Sequence, residues 1–222
     1  MSALVEIPIF PLSNVVLFPQ IQTPLHLFEP RYRQMAEQAL VGGGQIGMVA
    51  VPPEHVDEMS GDPSLYPVGC SGLVAQSQRL PDGRYNIVLS GTQRFRIVGE
   101  RPRPEGQLFR TAEVEPLEDP FPTADEQHVA DLRRRIVGLV RSLLERTDSD
   151  RSRQVTPALF SGVNDVAFVN SLSNALAFSP PEKQGLLEAD SIPQRYERLE
   201  GLLSFRLAEL SRPGGAGSGS LH

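Results

Sequence analysis

The sequence predicts an α+β fold: an N-terminal β-barrel or curled sheet carrying one helix, followed by a C-terminal helical bundle. Three observations carry this. Residues 7–33 hold dense apolar runs cut by Pro8, Pro11, Pro19, Pro24 and Pro30, and short apolar runs bounded by prolines read as strands rather than helices. Residues 68–117 form a succession of alternating segments separated by Gly/Pro turns, as in a small barrel or curled sheet. After Asp119-Pro120-Phe121-Pro122-Thr123 the apolar spacing switches to a helical period. The expected organisation is a β-rich subdomain over residues 1–118, a helical one over 125–211 and a Gly/Ser-rich flexible tail over 212–222.

In chain order, each proline of the first stretch removes a backbone donor, so its strands end or lie at an edge there. Pro30 suits a first helical turn. Tyr32, Met35, Ala36, Ala39 and Leu40 follow at helical spacing, and Gly42 to Gly44 stops the helix. Gln45 to Pro52 reads as a third strand. Residues 53–67 are polar and aperiodic, the pattern of a long loop. Val68 to Leu80 and Tyr85 to Ser90 pair through Pro81-Asp82-Gly83, a strong hairpin signal. Gly91 marks a bend or bulge. Gln93 to Glu100 and Leu108 to Leu117 alternate again, with Phe95 and Ile97 on one face and Arg94 and Arg96 on the other.

In the second half, Val129, Leu132, Ile136, Leu139, Val140, Leu143 and Leu144 form one apolar stripe. Asn164 caps a helix containing Phe168, Val169, Leu172 and Leu176. Ser179-Pro180-Pro181-Glu182 has the form of a capping box. A final helix carries Tyr196, Leu199, Leu203, Leu207 and Leu210 inward, completing the bundle.

Composition narrows the function. The 222 residues carry a formal charge of −6, of which −5 falls in residues 1–124. An acidic β-rich half is a poor electrostatic match to a phosphate backbone. No apolar run approaches the roughly 20 residues of a membrane span. The N-terminus lacks a basic stretch followed by an apolar one, so no signal peptide is expected. A single cysteine, Cys70, forms no internal disulfide and fits a reducing cytoplasm.

No catalytic set emerges. Nothing matches the phosphate-cradling GxxxxGK[ST] pattern, and His26, His55, His128 and His222 lack zinc spacing. The one lysine, Lys183, reads as a solvated helix-surface residue. His26 reads as a hydrogen-bonded structural histidine and Cys70 as a small buried hydrophobe. No cofactor or metal is expected, nor an enzyme.

The residues Pro8-Ile9-Phe10-Pro11-Leu12, Val15-Val16-Leu17-Phe18-Pro19 and Pro24-Leu25-His26-Leu27-Phe28-Glu29-Pro30-Arg31-Tyr32 resemble the N-terminal, substrate-binding domain of Lon proteases, in its free-standing form. Residues 80–97, 109–119 and 168–203 resemble the same domain. The resemblance implies a PUA-like β half and a non-catalytic protein that binds unfolded or exposed polypeptide segments. An adaptor role in ATP-dependent proteolysis, beside a protease or chaperone, goes with it. With no GxxxxGK[ST] pattern and Lys183 as the one lysine, the ATPase and serine–lysine modules that a working Lon protease adds are expected to be lacking. On this reading Val16, Phe18, Pro19, Ile21, Leu25 and Phe28 are candidate peptide contacts. The plain alternative for each is a place in the core. The alternative function is nucleic-acid binding, as in PUA-like RNA-binding modules, through Arg94, Arg96, Arg101 and Arg103.

Overall fold

The computed structural model describes residues 4–147, 160 and 162–211. The residues expected to form the tail, 212–222, lie outside these. The chain divides into two compact units, Met1–Asp119 with Asn170–Glu188, and Pro120–Val169 with Ala189–His222. Asn170–Glu188 thus groups with the β-rich residues rather than with the helices around it in sequence.

The first unit is built on six strands: β1 (Val5–Leu12), β2 (Gln22–Leu27), β3 (Gln45–Ala50), β4 (Val68–Arg79), β5 (Tyr85–Glu100) and β6 (Arg110–Leu117). Their order is β2-β5-β4-β3-β1-β6, and β6 also pairs with β5, so five strands close into a barrel. The long β5 makes this possible. Its first half pairs with β2 and its second half with β6, while β4 runs beside both. All pairs are antiparallel except β1 with β3. Phe95 fills the barrel among Ile7, Ile9, Val49, Ala112 and Val114.

Helix α1 (Pro30–Val41) starts on Pro30 as its sequence predicts, and buries Tyr32, Met35, Ala36 and Ala39. Burial pushes the Tyr32 phenol up to about 12. The β4–β5 hairpin closes through Gly83 at φ 81°, with Leu80 N–H donating to the Arg84 carbonyl. Asp82 accepts from the Arg84 backbone at 3.1 Å.

Between β1 and β2 the chain makes a tight turn, Phe18 to Ile21. Ile21 N–H donates to the Phe18 carbonyl at 3.2 Å, and Gln20 takes φ 65°. Proline at the second position and a left-handed third residue are the marks of a type II turn. The turn is pinned to β5 by two hydrogen bonds of 2.8 Å, Gln20 N–H to the Gly91 carbonyl and Gly91 N–H to the Ile21 carbonyl. A side chain at Gly91 would put its Cβ 2.1 Å from the Phe18 carbonyl oxygen; only glycine lets the two backbones come this close.

Two further helices concern this unit. α3 (Asp165–Ala175) contains the division between the units, and α4 (Pro180–Leu187) lies within the first. Asn164 caps α3 by accepting from Ala167 N–H. Ser179 and Glu182 form the full capping box of α4. Asn170 donates to the Pro19 carbonyl at 3.0 Å, and Gln184 to that of Val68 at 2.9 Å.

In the second unit α2 (Glu126–Thr147) and α5 (Ile192–Ser211) pack along each other. Val129, Leu132, Ile136 and Val140 are buried on α2, and Tyr196, Leu199 and Leu203 on α5. The final helix does not stay inward to its end, because Leu210 is exposed. Arg133 pairs with Asp165 at 2.6 Å, and its guanidinium lies 4.3 Å from the Phe168 ring centroid.

Candidate functional site

β2 is an edge strand. One side pairs with β5 over all six residues, Pro24 included, and the strand lies at the edge, as its proline implies. Proline is tolerated at an edge because a strand pairs on one side only there.

The register defines an outward face. Gln22, Ser90 and Leu73 form one row across β2, β5 and β4; Pro24, Val88 and Gln76 a second; His26, Asn86 and Gln78 a third. Directly paired residues of antiparallel strands point the same way. All nine are at least partly exposed, and Leu73 is 46% exposed. None carries a formal charge with His26 neutral. A groove of about 380 Å³ opens over Pro24, His26, Gln76, Gln78, Asn86 and Val88.

Hydrogen bonds order one end of this face. His26 Nδ1 lies 2.7 Å from Asn86 Oδ1. The amide oxygen only accepts, so Nδ1 carries the hydrogen. Nε2 is then free to accept from Arg84 at 3.3 Å. Phe28, just past β2, is 60% exposed, and its ring lies 6.3 Å from that of His26 at 25°. His26 is therefore hydrogen-bonded as expected, but on the exposed face. The Arg84 hydrogen bond holds the Asp82 carboxyl below its usual range.

The structure separates the sequence-predicted contacts. Val16, Phe18 and Pro19 are buried, Phe18 completely; they belong to the core and present nothing to a guest. The type II turn is the cause, since it folds this segment back against Gly91. Ile21 and Leu25 are half-buried, Leu25 on the face opposite His26 and opposite Ile87 in register. Of the six, Phe28 alone is exposed. The residues that sequence reasoning missed are the uncharged ones on β4 and β5. A bulge at Ala75 puts Leu73 and Gln76 on one face although they are three apart, which simple alternation hides.

The arginine patch does not form. Arg94 is 3% exposed. Its guanidinium donates to the carbonyls of Leu187 at 2.9 Å and Glu118 at 2.7 Å, and lies 2.8 Å from Asp119. Arg101 pairs with Glu113 and Arg103 with Asp62. Arg96 is exposed but stands apart from Arg94 in environment. Acidic neighbours thus neutralise most of the basic groups that a phosphate backbone would need.

Lys183 is not freely solvated either. It donates to the Asn174 carbonyl at 2.6 Å, near the end of α3, and partial burial lowers its basicity. Cys70 is buried, as expected. Among the described residues no cluster of three or more His, Cys, Asp or Glu could hold a metal ion, and no helix is long and apolar enough to cross a membrane.

A closed barrel with one helix, further helices beside it in sequence and an uncharged, open sheet face defines an α+β protein whose accessible features suit contact with another molecule. The chain belongs to the ATP-dependent protease La (LON) substrate-binding domain family, whose pattern matches residues 6–204. It is 27% identical over 212 residues to Lon protease of Escherichia coli strain K12, covering 93% of this chain and 25% of that protein. It is 26% identical over 212 residues to Lon protease of Buchnera aphidicola subsp. Baizongia pistaciae, covering 93% and 26%. The chain thus spans about a quarter of the length of the curated relatives it matches.

Solved structures share the fold. The N-terminal domain of Mycobacterium avium complex Lon protease superposes with a TM-score of 0.69 at 16% identity, covering 90% of this chain and 98% of that one. A Lon N-terminal domain protein from Xanthomonas campestris gives 0.57 at 23% identity, with the same coverage.

Proposed function

We propose that the chain binds unfolded or extended polypeptide along β2 and the outward β2-β5-β4 face, as a non-catalytic module that presents clients for ATP-dependent proteolysis. The observation that carries this is the uncharged, open face flanked by Phe28. In a chain where 22% of residues are charged, nine adjoining outward positions without a charge spare a guest strand the cost of desolvating an ion. An edge strand offers main-chain groups to such a guest, and apolar pockets beside it add affinity. Membership of a family described as a substrate-binding domain supports the same reading.

Phe28 is the exposed anchor. Burying its ring under a guest contributes about 1–2 kcal/mol, so Phe28→Ser should weaken binding of a reduced, carboxymethylated protein roughly tenfold. Its melting temperature should stay close to that of the native chain, because the ring is largely exposed already. Fluorescence anisotropy and a thermal melt on one sample check both. Unchanged binding by Phe28→Ser would remove this face from the site.

A further inference from the structure

The open edge of β2 carries a fixed pattern of main-chain groups. In an antiparallel pair, residues that exchange hydrogen bonds with the neighbouring strand alternate with residues whose N–H and C=O point away from it. Two hydrogen bonds set the phase here. Gly91 N–H donates to the Ile21 carbonyl at 2.8 Å, and Ile21 stands opposite Gly91, one step beyond the Gln22–Ser90 pair. Across the hairpin, Leu80 N–H donates to the Arg84 carbonyl at 2.8 Å, so by alternation Arg84, Asn86 and Val88 turn their main chain to β4. Both bonds place the main chain of Tyr85, Ile87 and Leu89 toward β2, against Leu27, Leu25 and Thr23. Gln22, Pro24 and His26 are left with their main-chain groups on the open side.

These three residues are exposed, and among the described residues β2 has no strand neighbour except β5. Gln22 and His26 each present an N–H and a carbonyl there, and Pro24 presents a carbonyl alone. The missing donor thus falls on the side where the sheet does not use it. The same residues carry the outward face, in rows with Ser90, Val88 and Asn86. In an added antiparallel strand, directly opposed residues share a face. Guest residues opposite Gln22, Pro24 and His26 therefore direct their N–H groups to β2 and their side chains to the groove. The alternate guest residues turn their N–H groups to solvent and their side chains to the face of Thr23 and Leu25.

We infer that an extended guest adds to β2 as an antiparallel strand, in the phase that makes the residues filling the groove the ones that hydrogen-bond to the edge. The polypeptides it fits have apolar side chains and free N–H groups on the same alternate residues. This rests on the peptide-binding reading above and gives it a direction and a phase. A guest forgoes one hydrogen bond, at Pro24. A second copy of the chain pairing through its own β2 forgoes one at each of two prolines, so the edge favours a guest over self-pairing.

The test uses three fluorescein-labelled peptides of alternating Val and Ser: one unmodified, one N-methylated at its central Val residues and one N-methylated at its central Ser residues. Fluorescence anisotropy is read on the full chain. The Ser-methylated peptide should bind as the unmodified one does, and the Val-methylated peptide about tenfold more weakly, for its lost main-chain hydrogen bonds. Pro24→Val supplies the missing donor and should tighten the unmodified peptide about threefold, with a melting curve showing the variant folded. Equal binding of the two methylated peptides overturns strand addition and leaves the groove reading standing. The reverse order overturns the antiparallel phase. Unchanged affinity in Pro24→Val overturns the assignment to β2. Failure of all three peptides to bind overturns the groove reading itself, and a dimer in sedimentation velocity that none of them splits gives the edge to a second copy.

Discussion

Arg94→Met should cost about 3–5 kcal/mol of stability, the effect of breaking a buried ion pair by removing one partner. The guanidinium is 3% exposed. It satisfies the carbonyls of Leu187 and Glu118 and lies against Asp119. Methionine restores much of the volume but none of the donors. Two carbonyls and a carboxylate that is itself only 19% exposed then lose these contacts. Asp119→Asn should cost less, because the two carbonyl contacts remain. Urea denaturation of the three proteins checks the order. An Arg94→Met chain as stable as the native one would mean that water satisfies these groups.

The second large effect is expected at Phe18. Its side chain is fully buried, so Phe18→Ala removes a large core ring and should cost about 3–5 kcal/mol. The fraction that remains folded should bind an unfolded polypeptide as the native chain does, since Phe18 does not lie on the outward face. Thermal melts and anisotropy separate the two quantities. A loss of affinity with an unchanged melting temperature would return Phe18 to the binding surface. Together with Phe28→Ser, which is expected to do the reverse, this pair divides the proline-cut stretch into core and contact.

That division shows what the sequence reveals and what it hides. The strands, the hairpin at Asp82-Gly83, the start of α1 at Pro30 and the capping box at Ser179 are all legible, because each depends on neighbours in the chain. Phe18 is misread for the opposite reason. Its environment depends on Gly91, far away in sequence, whose missing side chain admits the turn. Arg94 is similar: alternation places it beside Arg96, but the Leu187 carbonyl, 93 residues away, takes it into the interior. The outward face is hidden by the bulge at Ala75, which changes the parity of β4 halfway along the strand. The edge position is legible from Pro24; the residues that share its face are not.

The most direct measurement is amide hydrogen exchange on the full chain, with and without a reduced, carboxymethylated protein as guest. Binding along β2 should slow exchange in Gln22–Leu27 and at Phe28, with smaller effects at Gln76, Gln78 and Asn86, and leave α2 and α5 unchanged. Slowing confined to residues 53–67 or to α2 and α5, with β2 exchanging as in the free chain, would contradict the proposed site.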